Sequence, residues 1–325
     1  MNLLIKAVAA ATLTFSIALA PQAFAQNYPD RNITLVVPFA AGGISDSQSR
    51  QLAQRLGGIL GQPVVVVNRP GASGMLGTEA VARAEPDGYT ILYGTHGTLA
   101  ANLALFKNLR VNPPKDLRAV HSLFKQSTVL VTGVDTPYKS LGDLIRIAKR
   151  EPGKINYASA GSGTQTHLAA ARLESAADIS LTHIPYKGAG PALIDVLGGV
   201  VDVTFSYPEA VVPQLQAGKL RALALMGENR LDILPGVPTV GDEGYPGAAL
   251  EGWSGIFVPA GTPDDVVAKL ADAVRDSTEA PEVLEAMARI GSLPMGLSDK
   301  AFQSFVEEEV DHWKEVVEQS GASLE

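Results

Sequence analysis

The chain alternates short aliphatic runs with segments whose apolar residues recur every three or four positions, and small-residue loops sit at the junctions. The run Ile33-Thr34-Leu35-Val36-Val37 has the composition of a buried parallel strand and stops at Pro38, which has no N–H to give a ladder. Gly42-Gly43 then lets the backbone turn, and Leu52, Leu56, Ile59 and Leu60 follow at helical spacing until Gly61, with Ser45 or Asp46 as the expected N-cap. Strands expected over residues 64–67 and 89–93, separated by a helix over 78–84, repeat this unit. They deliver Asn68-Arg69-Pro70-Gly71-Ala72-Ser73-Gly74 and Gly94-Thr95-His96-Gly97-Thr98 as loops. In open parallel sheets that carboxyl-end edge is where ligands sit.

At Lys125-Gln126-Ser127-Thr128 the composition turns polar, and a first crossing between two lobes is expected there. Residues 129–132 resume a strand, 140–149 read as a helix with Leu141, Leu144, Ile145 and Ala148 on one face, and 155–158 form the next strand. A second strand–glycine–helix unit follows at Ser159-Ala160-Gly161-Ser162-Gly163-Thr164, with its helix reaching about residue 175. Further strands are expected over 181–184, 203–205 and 221–226, with a helix ending at Leu197. The loop-rich stretch 227–251 leads to a return crossing over 253–258. Thr262-Pro263-Asp264 opens a helix carrying Val266, Val267, Leu270 and Val274, and helices over 281–290 and 299–319 finish the chain. The whole reads as an α/β protein of two lobes, residues 26–126 with 252–325 and residues 127–251, joined by crossing strands.

The two glycine-rich helix starts carry the candidate chemistry. Unpaired N–H groups there face outward, and together with the helix dipole they suit a carboxylate or phosphate. For the stretch around Gly42 and Gly43 alone, an ordinary strand-to-helix turn is an equal reading. Asp46 would repel an anion as a direct contact, which favours its role as a cap. His96 sits among small residues at the expected cleft, where ligand contact and a structural role are balanced. Lys187 and His167 read as a solvated lysine and as a helix-surface or capped histidine.

Composition narrows the field. Lys6, the apolar run 7–20 and Ala23-Phe24-Ala25 before Gln26 read as a signal peptide over residues 1–25, implying export to a bacterial periplasm. With no cysteine the chain has neither lipid attachment site nor disulfide, and no other stretch reads as membrane-embedded. A net charge of −8, made more negative by loss of Lys6, argues against nucleic acid. Gly161-Ser162-Gly163 lacks the third glycine of a dinucleotide loop; no phosphate loop or serine elbow occurs, since Gly252-Trp253-Ser254-Gly255 has the wrong spacing. The histidines at 96, 121, 167, 183 and 312 have no metal spacing, so neither metal nor cofactor is expected.

Several long stretches resemble one family, the periplasmic solute-binding proteins of tripartite tricarboxylate transporters (the Bug or TctC family). They are Tyr28-Pro29 with Ile33 through Phe39, Ala41-Gly42-Gly43 with Asp46, Val66-Val67-Asn68-Arg69-Pro70-Gly71-Ala72, Pro86-Asp87-Gly88-Tyr89-Thr90 and Asn156-Tyr157-Ala158-Ser159-Ala160-Gly161 with Gly163-Thr164 and His167-Leu168. Pro185-Tyr186-Lys187-Gly188 with Pro191-Ala192-Leu193, Gly218-Lys219-Leu220-Arg221-Ala222-Leu223-Ala224, Pro238-Thr239-Val240 and Pro259-Ala260-Gly261-Thr262-Pro263 extend the match over the mature chain.

The resemblance implies a two-lobed type II periplasmic-binding-protein fold that closes as a monomer on a small carboxylate and delivers it to membrane transporter subunits, without catalysis. It also implies that the loop Phe39 to Asp46 and the loop Ser159 to Thr164 grip the carboxylate from opposite lobes. The ligand set expected is Phe39, Ala41, Gly42, Gly43, Ser45, Asp46, His96, Ser159, Gly163, Thr164, Ser206 and Tyr207. Ser206 stands where the family often has aspartate, which weakens the case for an amine-bearing ligand. Aliphatic di- or tricarboxylates and aromatic carboxylates such as terephthalate are then level. A sensor arm for a membrane kinase and a secreted hydrolase using His96 or His167 are the alternatives.

Overall fold

The protein is described by a computed structural model over residues 28–322, so the expected signal peptide lies outside the described residues. The chain begins β1 (Ile33–Val37), α1 (Ile44–Leu60), β2 (Val64–Asn68), α2 (Met75–Ala82), β3 (Thr90–Thr95), β4 (Leu117–Ser127), β5 (Val129–Gly133). It continues α3 (Leu141–Arg150), β6 (Asn156–Ser159), α4 (Gln165–Ala177), β7 (Thr182–Pro185), α5 (Ala189–Leu197), β8 (Val203–Ser206), α6 (Pro208–Gln216), β9 (Leu220–Leu225). It ends β10 (Glu251–Pro259), α7 (Asp264–Thr278), α8 (Pro281–Ala288), β11 (Ser292–Pro294), α9 (Asp299–Ser320).

Two sheets divide these strands. The first has the order β11-β4-β10-β3-β1-β2 and the second β7-β6-β8-β5-β9, each with helices packed on it, which is the two-lobed α/β architecture expected. Strands β1, β2 and β3 pair parallel, so their carboxyl ends and the loops after them share one edge. In the second sheet β6 pairs parallel with β7 and β8, while β5 runs against β8 and β9.

The crossing segments are strands, as expected. Despite its polar composition, 125–127 completes an 11-residue β4, because β10 pairs with it antiparallel from Leu117↔Pro259 to Ser127↔Glu251. Of the polar side chains there, Gln126 reaches the cavity wall, Lys125 pairs with Glu251 (2.6 Å) and Ser127 is buried. Helix α6 and the turn of π-helix at Gly97–Ala101 were not legible as helices. In the second case the chain coils directly after Thr95, so His96 opens a helical turn instead of lying in a loop.

Helix α9 lies against β4 and also reaches α4 of the other lobe, where Arg172 meets Glu315 and Gln319. Its Phe302 is fully buried and packs on Trp253 and Phe257, with ring centroids 5.8 and 5.2 Å away. This packing depends on Gly255 in β10: a Cβ there would sit 2.3 Å from the Phe302 ring. Gly255→Val should therefore lower stability by about 1–3 kcal/mol through overpacking, read as a lower urea midpoint, whereas Gly190→Ala, exposed in α5 with nothing near its added Cβ, should not lower it.

Candidate functional site

The site begins with how Pro38 to Asp46 is held. After β1 ends, Gly42 takes φ +84°, a conformation that a Cβ would strain, and Gly43 becomes the N-cap of α1. Neither Ser45 nor Asp46 is that cap, contrary to the sequence expectation, because the helix starts two residues earlier, at Ile44. Asp46 instead reaches back from the first turn. Its carboxylate accepts from the Gly42 N–H (2.9 Å), from Asn68 (2.9 Å) and from Arg50 (3.1 Å), which hold its carboxyl down at about 2. Asn68 also donates to the Phe39 carbonyl, so the end of β2 ties the loop from below. The N–H groups of Ile44 and Ser45, in the first turn, have no intrahelical acceptor and lie at the cavity wall.

The second loop is built in the same way. Gly163 takes φ +75° and Thr164 caps α4. Ser159, fully buried, bonds the Gly161 N–H (3.1 Å) and His183 Nε2 (2.6 Å), and Thr166 takes the Ala160 N–H (2.8 Å). The Gly163 N–H goes to His167 Nδ1 (3.1 Å), so this amide is spent on fixing the loop. The His167 and His183 rings stack at 4.1 Å behind it, and burial and the neighbouring imidazole bring His167 down to about 4. The N–H groups left at this helix start are those of Gln165 and Thr166.

Between the loops lies a cavity of about 450 Å³. Of the expected residues it gathers Phe39, Gly43, Ser45, His96, Gly163, Thr164 and Tyr207 on its wall. It leaves out Ala41 and Gly42, which are exposed at the lip, and Asp46 and Ser159, which brace the loops from behind. Ser206 is also outside: it is 2% exposed, its hydroxyl has no partner among the described residues, and the chain turns so that Tyr207 reaches the cavity in its place. Gln48, Ser73, Asn102, Phe124, Gln126, Gln165 and Ser254 complete much of the wall and were not singled out. Ser73, in the loop after β2, Gln126, in the polar crossing segment, and Gln165, directly after the second glycine loop, carried a sequence signal.

No lining side chain is an Asp, Glu, Lys or Arg. The polar groups are amides and hydroxyls held by one another: Tyr207 donates to Gln165 Oε1 (3.2 Å), and Gln165 donates to the Gln126 carbonyl (2.9 Å). His96 is the one lining group that could ionise near neutral pH, and its surroundings prevent it. Burial takes it down to about 4. Its Nδ1 accepts the Trp253 backbone N–H (3.3 Å), which leaves the proton on Nε2, and its ring stacks on Trp313 at 4.5 Å. The indoles of Trp253 and Trp313 both donate to Glu309 (2.6 and 2.7 Å), so ring and backbone contacts fix one neutral tautomer. Ser159 and His183 are within hydrogen-bond reach, but the serine is fully buried outside the cavity and unsuited to act as a nucleophile.

Because His96 is held near 4 against an ordinary 6.5, the unfolded chain binds a proton that the folded one refuses between those values. The histidine's effect is therefore absent above pH 6.5 and costs stability as the pH falls toward 4. Urea unfolding at pH 7 and pH 5 should show His96→Gln losing roughly 2 kcal/mol less than the wild type on acidification; equal losses would show that His96 does not carry the dependence.

Comparison with known proteins places this geometry. Residues 48–322 match the sequence model described as the tripartite tricarboxylate transporter family receptor. Protein BugT of Bordetella pertussis is 36% identical over 301 residues, 92% of each chain. Among solved structures, R. palustris Rpa4515 with adipate is 32% identical with a TM-score of 0.80, covering 91% of this chain and 100% of that one. MatC from Rhodopseudomonas palustris with bound malate is 33% identical with a TM-score of 0.75, covering 89% and 100%. The periplasmic binding protein BugD has 34% identity, a TM-score of 0.76 and coverage of 91% and 99%. The chain belongs to the tripartite tricarboxylate transporter receptor family, the Bug proteins, and shares their two-lobed solute-binding fold.

Proposed function

We propose that this receptor works in the periplasm, captures a small aliphatic dicarboxylate between its lobes as a monomer, and presents it to the membrane subunits of a tripartite tricarboxylate transporter. The carrying observation is that the starts of α1 and α4, one from each lobe, face a single cavity with no charged side chain in its wall. The lobes are residues 26–126 with 252–325 and residues 127–251, turning about the two crossings. Among the described residues no helix is long and apolar enough to cross a membrane. The relatives with adipate and malate supply the ligand class.

In this reading one carboxylate takes the N–H groups of Gly43, Ile44 and Ser45, with those of Gln165 and Thr166 meeting the same ligand on closure. The far carboxylate finds neutral donors, among them His96 Nε2–H. Phe39 and Tyr207 cover the carbon chain. An α-amino group finds no acidic side chain on the wall, so amino acids bind poorly. Phe39, Phe124, Tyr207 and Trp253 also offer flat apolar surface to an aromatic dicarboxylate, and it is the relatives with adipate and malate that favour the aliphatic class. The relatives are solute-binding receptors, and turnover has no part in this function.

A thermal-shift screen with adipate, malate, citrate, terephthalate and glutamate tests this. Adipate or malate should raise Tm progressively with concentration, with about 2.7 kcal/mol of stabilisation at a hundred times Kd, and glutamate should not. Gly43→Val, which places a side chain over the α1 amides, should abolish the response while leaving the circular dichroism spectrum intact. A flat response to every acid would sink the proposal.

A further inference from the structure

We propose that the cleft continues into a second subsite beneath α1, which takes the unbranched apolar tail of a carboxylate anchored in the cleft. This rests on the carboxylate reading above. A separate cavity of about 400 Å³ lies between α1, β4 and the junction of α7 and α8. Leu52, Leu123 and Met287 form its buried floor, with Val283 and Ala286 half-buried beside them. Ser277 and Thr278 also face it, but their hydroxyls donate to the carbonyls of Ala273 (2.8 Å) and Val274 (3.0 Å) within their own helix. At the rim Arg55 is already paired with Glu282 at 2.9 Å. Gln51 and Gln54 line its α1 side, so the chamber joins an apolar floor to an amide-bearing wall, and its volume lies within the range of about 300–1,000 Å³ usual for small-molecule sites.

The connection to the cleft is specific. Gln48 and Phe124 line both cavities, and no other residue does. Both are half-buried, so the wall between the chambers is made of side chains that rotate, not of backbone. The Gln48 side chain is held by its Oε1 accepting from Tyr93 OH at 2.7 Å, which leaves Phe124, at the edge of the lobe core, as the movable leaf. Ser45, Gln48, Leu52 and Arg55 follow one another along a single face of α1, so the anion-binding start of the helix, the partition and the second chamber lie in line. From Ser45 to Leu52 is about 10 Å along the axis. Short acids anchored at the helix start therefore end in the cleft, and extended ones reach through.

The absence of cysteine from the chain allows a direct test. In the full-length mature protein, Ala286→Cys carries the only thiol, and its labelling by a methanethiosulfonate reagent is followed with butanoate, hexanoate, octanoate and decanoate. Octanoate and decanoate should slow labelling at least tenfold, and butanoate should not. In the wild type, affinity should rise about fourfold per added methylene once the chain is long enough to pass Phe124. Adding Gly43→Val to Ala286→Cys should remove the protection.

Labelling indifferent to chain length overturns the inference, as does protection that survives Gly43→Val, since the chamber would then bind hydrocarbon without the cleft. If dicarboxylates shift Tm while long acids give no protection, only this inference fails. If no acid binds at all, the carboxylate reading fails with it.

Discussion

Strands β4 and β10 run antiparallel from Leu117↔Pro259 to Ser127↔Glu251, and beyond the last pair both chains pass into the second lobe. Their far ends stay in register through backbone bonds, since the Met226 N–H donates to the Thr128 carbonyl and the Leu250 N–H to the Met226 carbonyl. The side chains on these two strands form the floor of the cleft. Gln126, Gly252 and Ser254 lie on that floor, and a Cβ at Gly252 would meet Gln165 at 2.3 Å and His96 at 2.7 Å. The same strands that connect the lobes therefore set how closely α4 and the His96 turn approach.

Electrostatically the site is built by removing charge. The one carboxylate near the first loop, Asp46, is neutralised by Arg50 and spent on the Gly42 amide and Asn68, so it shapes the loop without repelling a ligand. His96 is kept neutral by burial and by its bond from Trp253. A cationic wall would bind anions of any shape, because a point charge has little directional preference. Backbone N–H groups at two helix starts demand an acceptor at a particular place and angle, which ties affinity to geometry.

The strand-and-turn grammar of both lobes was readable where its signals are local. Pro38 stops a strand, Gly61 stops a helix with φ +70°, and Ser140 caps a helix by accepting from the Asp143 N–H. The two glycine loops were readable for the same reason. Tertiary context overrode local preference elsewhere. Lys125-Gln126-Ser127 looks like a loop until β10 pairs with it, and Ser206 looks like a cleft residue until the turn into α6 buries it and presents Tyr207. Gln48, Asn102 and Ser254 had no local signal at all, since each is an ordinary polar residue whose role depends on which elements converge.

In the proposed function the ligand is held by partial charges, and this makes closure part of recognition. One helix start contributes on the order of 0.3–1 kcal/mol to an exposed anion, and salt and water screen it further. Alone, either loop is a weak site. When the lobes approach, the second helix start joins the first in a cavity emptied of water, where each dipole acts through a lower effective dielectric. A ligand can favour the closed state only by its difference in affinity for the two states, and on that reading the difference comes from engaging both sets of amides at once. Without a fixed cation to hold an anion in the open form, the closed conformation depends on the ligand, so the shape that marks a loaded receptor forms only when something of the right length bridges both loops.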